Sequence, residues 1–168
     1  MNKVTVVING VGGCGKDTLI EMLKDKIKFH NISSITPIKE IAYNCGWDGE
    51  KTEKARKFLS DMKKLLTDFN EYPKQYILKE QEKFLSSENE ILFVHIREPE
   101  EIEKFVNASK GKTITLLIKP REELQNKVYG NHSDDDVEKY NYDLTFVNNK
   151  PLEEIESEWL DFVKTNIL

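Results

Sequence analysis

Nine residues near the start of the chain, Gly10-Val11-Gly12-Gly13-Cys14-Gly15-Lys16-Asp17-Thr18, are of types and at a spacing that could do chemistry. Gly10 to Lys16 fit the pattern G-x-x-x-x-G-K. Glycines at Gly10, Gly12, Gly13 and Gly15 let consecutive backbone N–H groups turn toward a phosphate chain with no side chain in the way. A helix opening at Lys16 adds the positive end of its dipole, and the Lys16 ammonium is a point charge for the outer phosphates. The pattern normally ends in Ser or Thr, whose hydroxyl binds Mg²⁺. Here Asp17 takes that place. A carboxylate is a good hard-oxygen ligand for Mg²⁺, directly or through water, whereas close to phosphates without a metal it would repel them. Asp17 therefore reads as a metal ligand, with a favourable acid in a first helical turn as the plainer alternative. Thr18 offers a hydroxyl to the inner phosphate. Cys14 lies inside the loop and reads as one of its variable, nucleotide-cradling positions rather than as a reactive thiol, because no histidine is near it in sequence.

This motif has meaning only between a strand and a helix. The β-branched run Lys3–Asn9 reads as a buried parallel strand, and Leu19, Ile20, Leu23 and Ile27 give helical spacing from Lys16 to Phe29. Further strands are expected at Ile32–Ile35, Glu90–Ile96, Lys112–Ile118 and Asp143–Val147. Helices are expected from Pro37 to Gly46, over Lys51–Phe69, from Pro73 to Ser86, and over Pro99–Ser109, Arg121–Lys127 and Pro151–Val163. Strands alternating with helices predict an α/β fold with a parallel sheet. The 168 residues suit a single domain. The connection from the second strand to Glu90, about 37–88, is long for a simple crossover and suggests an inserted substrate-recognition region.

A net charge of −5 argues against a nucleic acid polymer as partner. The longest apolar runs are too short to span a bilayer, and no secretory pattern is visible, so the chain reads as cytoplasmic. Cys14 and Cys45 make neither a disulfide framework nor a CxxC pair. Nothing in the sequence decides whether the protein pairs with itself, and a homodimer stays open.

With its GKDT ending, the loop resembles that of P-loop nucleoside monophosphate kinases of the phage deoxynucleoside monophosphate kinase type. Animal-type phosphomevalonate kinases also carry Asp after the lysine. The resemblance extends to Pro37-Ile38-Lys39-Glu40-Ile41-Ala42 with Gly46-Trp47-Asp48-Gly49, to Arg56-Lys57-Phe58-Leu59-Ser60, to His95-Ile96-Arg97-Glu98-Pro99 and to Tyr142-Asp143. It implies a three-layer P-loop NTPase fold with a five-stranded parallel sheet, an acceptor-binding region after the second strand and a lid at about 121–141. It also implies phosphoryl transfer from ATP with Mg²⁺ to a small-molecule acceptor, a nucleoside or deoxynucleoside monophosphate.

Phosphoryl transfer is mostly positioning and charge stabilisation, for which arginine supplies a planar fork. The chain has three arginines. Arg97, just past a strand end, is placed for the acceptor phosphate and the transferring group. Arg56 falls in the acceptor region or on a solvated helix face, and Arg121 at the entry to the lid, where ATP or the transferring phosphate would lie. Lys39 and Trp47 are candidates for acceptor binding, Trp47 by stacking on a base. Glu98 is a candidate Mg²⁺ ligand through water, or a cap on the next helix. His95 reads as a buried, hydrogen-bonded residue rather than a base. The segment Tyr129–Tyr140 is acidic (Asp134, Asp135, Asp136, Glu138), unlike the arginine-rich lids of many nucleotide kinases. Two other functions fit the same loop: a kinase of a non-nucleotide acceptor, and a nucleotide-binding regulator without efficient catalysis.

Overall fold

The computed structural model describes residues 2–120 and 136–168. β1 (Val4–Asn9) is buried along its whole length and lies at the centre of the sheet. β2 (Phe29–Ser33), β3 (Ile91–His95), β4 (Lys112–Lys119) and β5 (Leu144–Val147) complete it in the order β2-β3-β1-β4-β5, with every pairing parallel. The chain leaving β1 crosses to one side of the sheet and the chain leaving β3 to the other. That divergence opens a crevice beyond the carboxyl ends of these neighbours, where Ile8 pairs with His95.

Helices cover both faces. Val4, Val6 and Ile8 point to α1 (Lys16–Glu21) and α6 (Leu152–Asn166), meeting Leu19, Leu23, Trp159 and Val163. Val7, Leu92 and Val94 point the other way, to α4 (Tyr72–Leu85) and α5 (Pro99–Ala108), meeting Ile77, Phe84, Ile102 and Phe105. Two buried polar side chains on this second face satisfy each other: Gln81 donates to Thr5 Oγ1 and also bonds both backbone groups of Lys110.

Three expectations shift. The first helix ends at Glu21, because Leu23, Lys24 and Lys26 make i→i−3 bonds and Asp25 takes φ 64°. Leu23 and Ile27 remain buried through these tight turns, so helical spacing outlasts the helix. The second strand runs Phe29–Ser33, earlier than Ile32–Ile35. It is an edge strand in which only Ile32 is buried, so hydrophobicity does not mark it. The amphipathic α3 (Glu53–Asn70) is present and is capped by the Thr52 hydroxyl on Ala55 N–H, yet none of its side chains is buried.

Between β2 and β3 run α2 (Thr36–Asn44), α3 and α4, the helices that the long connection called for. Arg121, the helix expected at Arg121–Lys127 and most of the acidic segment lie outside the described residues. Val137–Lys139 form a 3₁₀ turn leading to Tyr142 and β5. Among the described residues no helix is long and apolar enough to cross a membrane.

Trp159 is fully buried, and its Nε1–H donates to the Leu19 carbonyl at 2.7 Å, fastening α6 to α1 below the glycine loop. Trp159→Ala is expected to cost about 3–5 kcal/mol, from the lost volume and a buried carbonyl left unpaired. Urea unfolding followed by circular dichroism measures it.

Candidate phosphate-binding cleft

The glycine loop is built for close approach. Gly13 and Gly15 take φ 81° and 88°, the left-handed region that glycine enters without strain. A Cβ on Gly15 would stand 2.5 Å from Asn148 Nδ2, which donates to the Cys14 carbonyl at 2.9 Å. Asn148, just past β5, thus braces the loop from behind. The Cys14 thiol is buried against β4 and Gly10, so this residue faces the loop's exterior with backbone only. Lys16 folds back over the loop, its Nζ donating to the Gly10 carbonyl at 2.8 Å and lying 3.8 Å from Cys14 Sγ. Gly12 belongs to the same turn, and Asp17 and Thr18 are exposed on the first turn of α1.

The amide of Asn9 ties this loop to the rest of the crevice. Asn9 is fully buried, and its Oδ1 accepts from Gly10 N–H at 2.9 Å. Its Nδ2 donates to the Arg97 carbonyl and to Tyr142 Oη, both at 2.9 Å. Tyr142 Oη then donates to the Val137 carbonyl at 2.6 Å, and burial pushes the phenol up to about 12. The ends of β1 and β3 and the strand entering β5 are therefore joined through one side chain.

A cleft of about 710 Å³ opens beside this junction. Lys16 and Asp17 line one part, Arg97, Glu98 and His95 its floor, and Lys39, Lys51, Arg56 and Lys63 the side formed by α2, α3 and the turn between them. Six cationic side chains thus meet two carboxylates in a chain of net charge −5. Of the residues singled out in the sequence, Lys39, Arg56, Arg97, Lys16, Asp17 and Glu98 line this cleft. Trp47 does not line the cleft: its ring lies 4.7 Å from that of Tyr43, and its Nε1–H donates to the Glu50 carbonyl. Asp48 likewise serves its own turn, accepting from Glu50 N–H.

Both Glu98 oxygens accept from Lys63, at 3.1 and 3.0 Å, in a half-buried ion pair. Glu98 stands at the N-cap of α5 but its side chain makes no capping bond. His95 Nε2 is 2.7 Å from Asn31 Oδ1. Burial drives the imidazole down to about 4, with Lys16 and Arg97 lowering it further and Asp17 opposing them. His95, half-buried and facing the cleft rather than fully buried as expected, is therefore neutral at physiological pH. Sequence reasoning missed Lys51, Lys63, Asn31, Asn9 and Asn148. Nothing distinguishes two of 22 lysines before they fold together, although Asn9, a polar residue closing an apolar strand before the loop, was a visible signal.

For Mg²⁺, the described residues contain no group of three or more His, Cys, Asp or Glu side chains able to hold a metal. The donor set fits an ion carried chiefly by phosphate oxygens and water, with Asp17 as the nearby carboxylate.

No family model matches the chain, and no curated protein sequence matches it. Its likeness is in three dimensions. It is similar to TT1252 from Thermus thermophilus, at 16% identity over 100% of both chains with a TM-score of 0.57. It is also similar to a sugar kinase from Janibacter, at 13% identity over 99% of this chain and 96% of that one, with a TM-score of 0.51. The five-stranded parallel sheet with helices on both faces is the P-loop kinase fold. At such identities the likeness is one of fold.

Two measurements test the junction. Asn9→Ala leaves the Gly10 N–H and the Arg97 carbonyl without their partner, and about 2–4 kcal/mol of stability is expected to be lost. Chemical denaturation reads that loss. His95 binds its proton more weakly when folded than unfolded. The unfolded chain therefore takes up the extra proton between pH 6.5 and about 4, and stability contributed above pH 6.5 is lost as pH falls through that window. The loss is at most about 3 kcal/mol, and His95→Gln should flatten the slope of stability against pH there.

Proposed function

We propose that this protein is an ATP- and Mg²⁺-dependent kinase that transfers the γ-phosphoryl group to a small phosphate-bearing acceptor, a nucleoside or deoxynucleoside monophosphate, giving the diphosphate. The observation that carries the reading is the cleft itself: a G-x-x-x-x-G-K-D-T loop on one side, a cationic α2–α3 wall on the other, and Arg97 between them. One cleft with cations at both ends suits a donor and an acceptor that are each anionic. The fold neighbour known as a sugar kinase is consistent with a small-molecule acceptor.

In this reading the backbone N–H groups of residues 10–16 cradle the donor phosphates. Lys16 exchanges the Gly10 carbonyl for the outer phosphates, an exchange that leaves the loop geometry intact because Asn9 and Asn148 hold it independently. Asp17 would hold Mg²⁺, which when bound would supply positive charge to the phosphate oxygens. Arg97 presents its guanidinium to the transferring group and the acceptor phosphate, with Arg56 and Lys39 completing the acceptor clamp. Arg121 is assigned the donor side. Glu98 pairs with Lys63 and would meet Mg²⁺ through water. A phosphate oxygen of the acceptor is already a nucleophile, so no side chain has to remove a proton, and a neutral His95 fits that economy. One observation favours a second reading, a phosphorylated non-nucleotide acceptor: Trp47, the residue proposed to stack on a base, packs on Tyr43 away from the cleft.

The test is diphosphate formation from ATP, Mg²⁺ and a panel of ribo- and deoxynucleoside monophosphates alongside phosphorylated metabolites. Lys16→Ala should lower kcat by about a hundredfold or more. Arg97→Ala should lower kcat/KM for the acceptor by about ten- to a hundredfold while leaving ATP binding near wild type. ATP binding without turnover on any acceptor would defeat the proposal.

A further inference from the structure

One ion pair joins the helix wall of the cleft to its floor. Lys63 Nζ on α3 donates to both oxygens of Glu98, and the two side chains are only 17% and 19% exposed. Two other pairs of α3, Lys57 with Asp61 and Lys64 with Asp68, lie on its exposed surface and join the helix only to itself. Surface pairs of that kind contribute little. The Lys63–Glu98 pair is sheltered from water and bridges 35 residues of sequence, so breaking it leaves a poorly solvated charge behind. Lys63, Ser34 and Ile96 line both the cleft and a smaller cavity that reaches Pro73, Ile77 and Phe105. The lysine stem thus borders apolar groups of α4 and α5 while its ammonium turns to Glu98.

Glu98 ends a short segment that is tied down at successive positions. The His95 carbonyl accepts from Ser34 N–H at 3.1 Å, and the Arg97 carbonyl from Asn9 Nδ2 at 2.9 Å. The Glu98 carbonyl accepts from Glu101 and Ile102 N–H, both at 3.0 Å, opening α5. Those anchors come from the ends of sheet strands and from α5, and Lys63 supplies the one from α3. Arg97 lies inside this frame. Arg56 stands about two turns before Lys63 on α3, with Leu59 and Ser60 between them also lining the cleft. Because α3 buries none of its side chains, a charge-assisted bond to the 95–98 segment weighs more here than on a helix packed into the core.

We infer, resting on the kinase reading of this cleft, that Lys63 and Glu98 are positioning residues: their ion pair holds α3 to the Arg97 segment and so sets the separation of the Arg56 and Arg97 guanidiniums that take the acceptor. As a unit the pair is neutral, so its part is to place the arginines rather than to attract the anion.

Two double variants test this at constant net charge: a neutral pair, Lys63→Met with Glu98→Gln, and a reversed pair, Lys63→Glu with Glu98→Lys. The neutral pair should raise the acceptor KM about tenfold while changing kcat and the KM for ATP little, and the reversed pair should recover most of that loss. In an Arg97→Ala background the neutral pair should add almost nothing, because the residue it positions is gone. Hydrogen exchange gives a readout that needs no acceptor. Amides of α3 should exchange about tenfold faster in the neutral pair, those of β1 and β3 should keep their protection, and the reversed pair should slow α3 again. Unchanged α3 protection or acceptor KM in the neutral pair, a reversed pair no better than the neutral one, or losses that add to those of Arg97→Ala would overturn the inference. A wild type that turns over no acceptor would defeat the kinase reading and with it the role given to the arginines, while the exchange data would still decide whether the pair holds α3 in place.

Discussion

The cleft depends on one buried amide. Asn9 ends the central strand where no water can reach it, and each of its polar atoms must find a partner inside the protein. The partners are the first N–H of the glycine loop, the carbonyl of Arg97 and the hydroxyl of Tyr142. A leucine in this place would fill the space but leave three separate segments unregistered. The cost of leaving a buried donor or acceptor unpaired, about 1–3 kcal/mol each, makes the arrangement close to all-or-none. The site's geometry is therefore set by a bond network below the cleft, and the charged groups above it inherit their positions.

Those charged groups work against the charge of the whole. A chain of net −5 repels anions at long range, yet six cations gather over one crevice. Walls of low dielectric concentrate such a field locally, while the acidic remainder is screened within roughly 10 Å at moderate salt. The two carboxylates in the cleft do not cancel this evenly. Glu98 is spent on Lys63, which it holds in a half-buried pair. Asp17 stays exposed beside Lys16, where a divalent cation arriving with phosphates would turn its charge from repulsive to attractive.

How much of this was legible beforehand follows from how local each signal is. The β-branched Val4–Ile8 run and the glycines at fixed offsets act within a few residues, so the strand, the loop and the position of Lys16 were readable directly. The parallel sheet followed from alternation, and Arg97 from its place after a strong strand. The edge strand Phe29–Ser33 carries little pattern of its own, because an edge hides little apolar surface. Lys63 was not visible because its meaning comes from Glu98, 35 residues away. Trp47 misled for the opposite reason: an indole in a turn looks like a ligand platform until Tyr43, four residues earlier, supplies its stacking partner.

The helix α3 shows why a sequence pattern can be right about the element and wrong about its neighbour. Its apolar residues announce a buried face, but the fold gives it too little to lie on, and Phe58, Leu65 and Phe69 stay in water. Exposed apolar surface of this kind is normally reserved for a partner. The opposite face carries Arg56, Leu59, Ser60 and Lys63 into the cleft, so one wall of the cleft rests on a helix that buries none of its side chains. The same physics that denies α3 a place in the core thereby leaves one wall of the cleft without buried anchors, while Asn9 fixes the glycine-loop side through three buried hydrogen bonds.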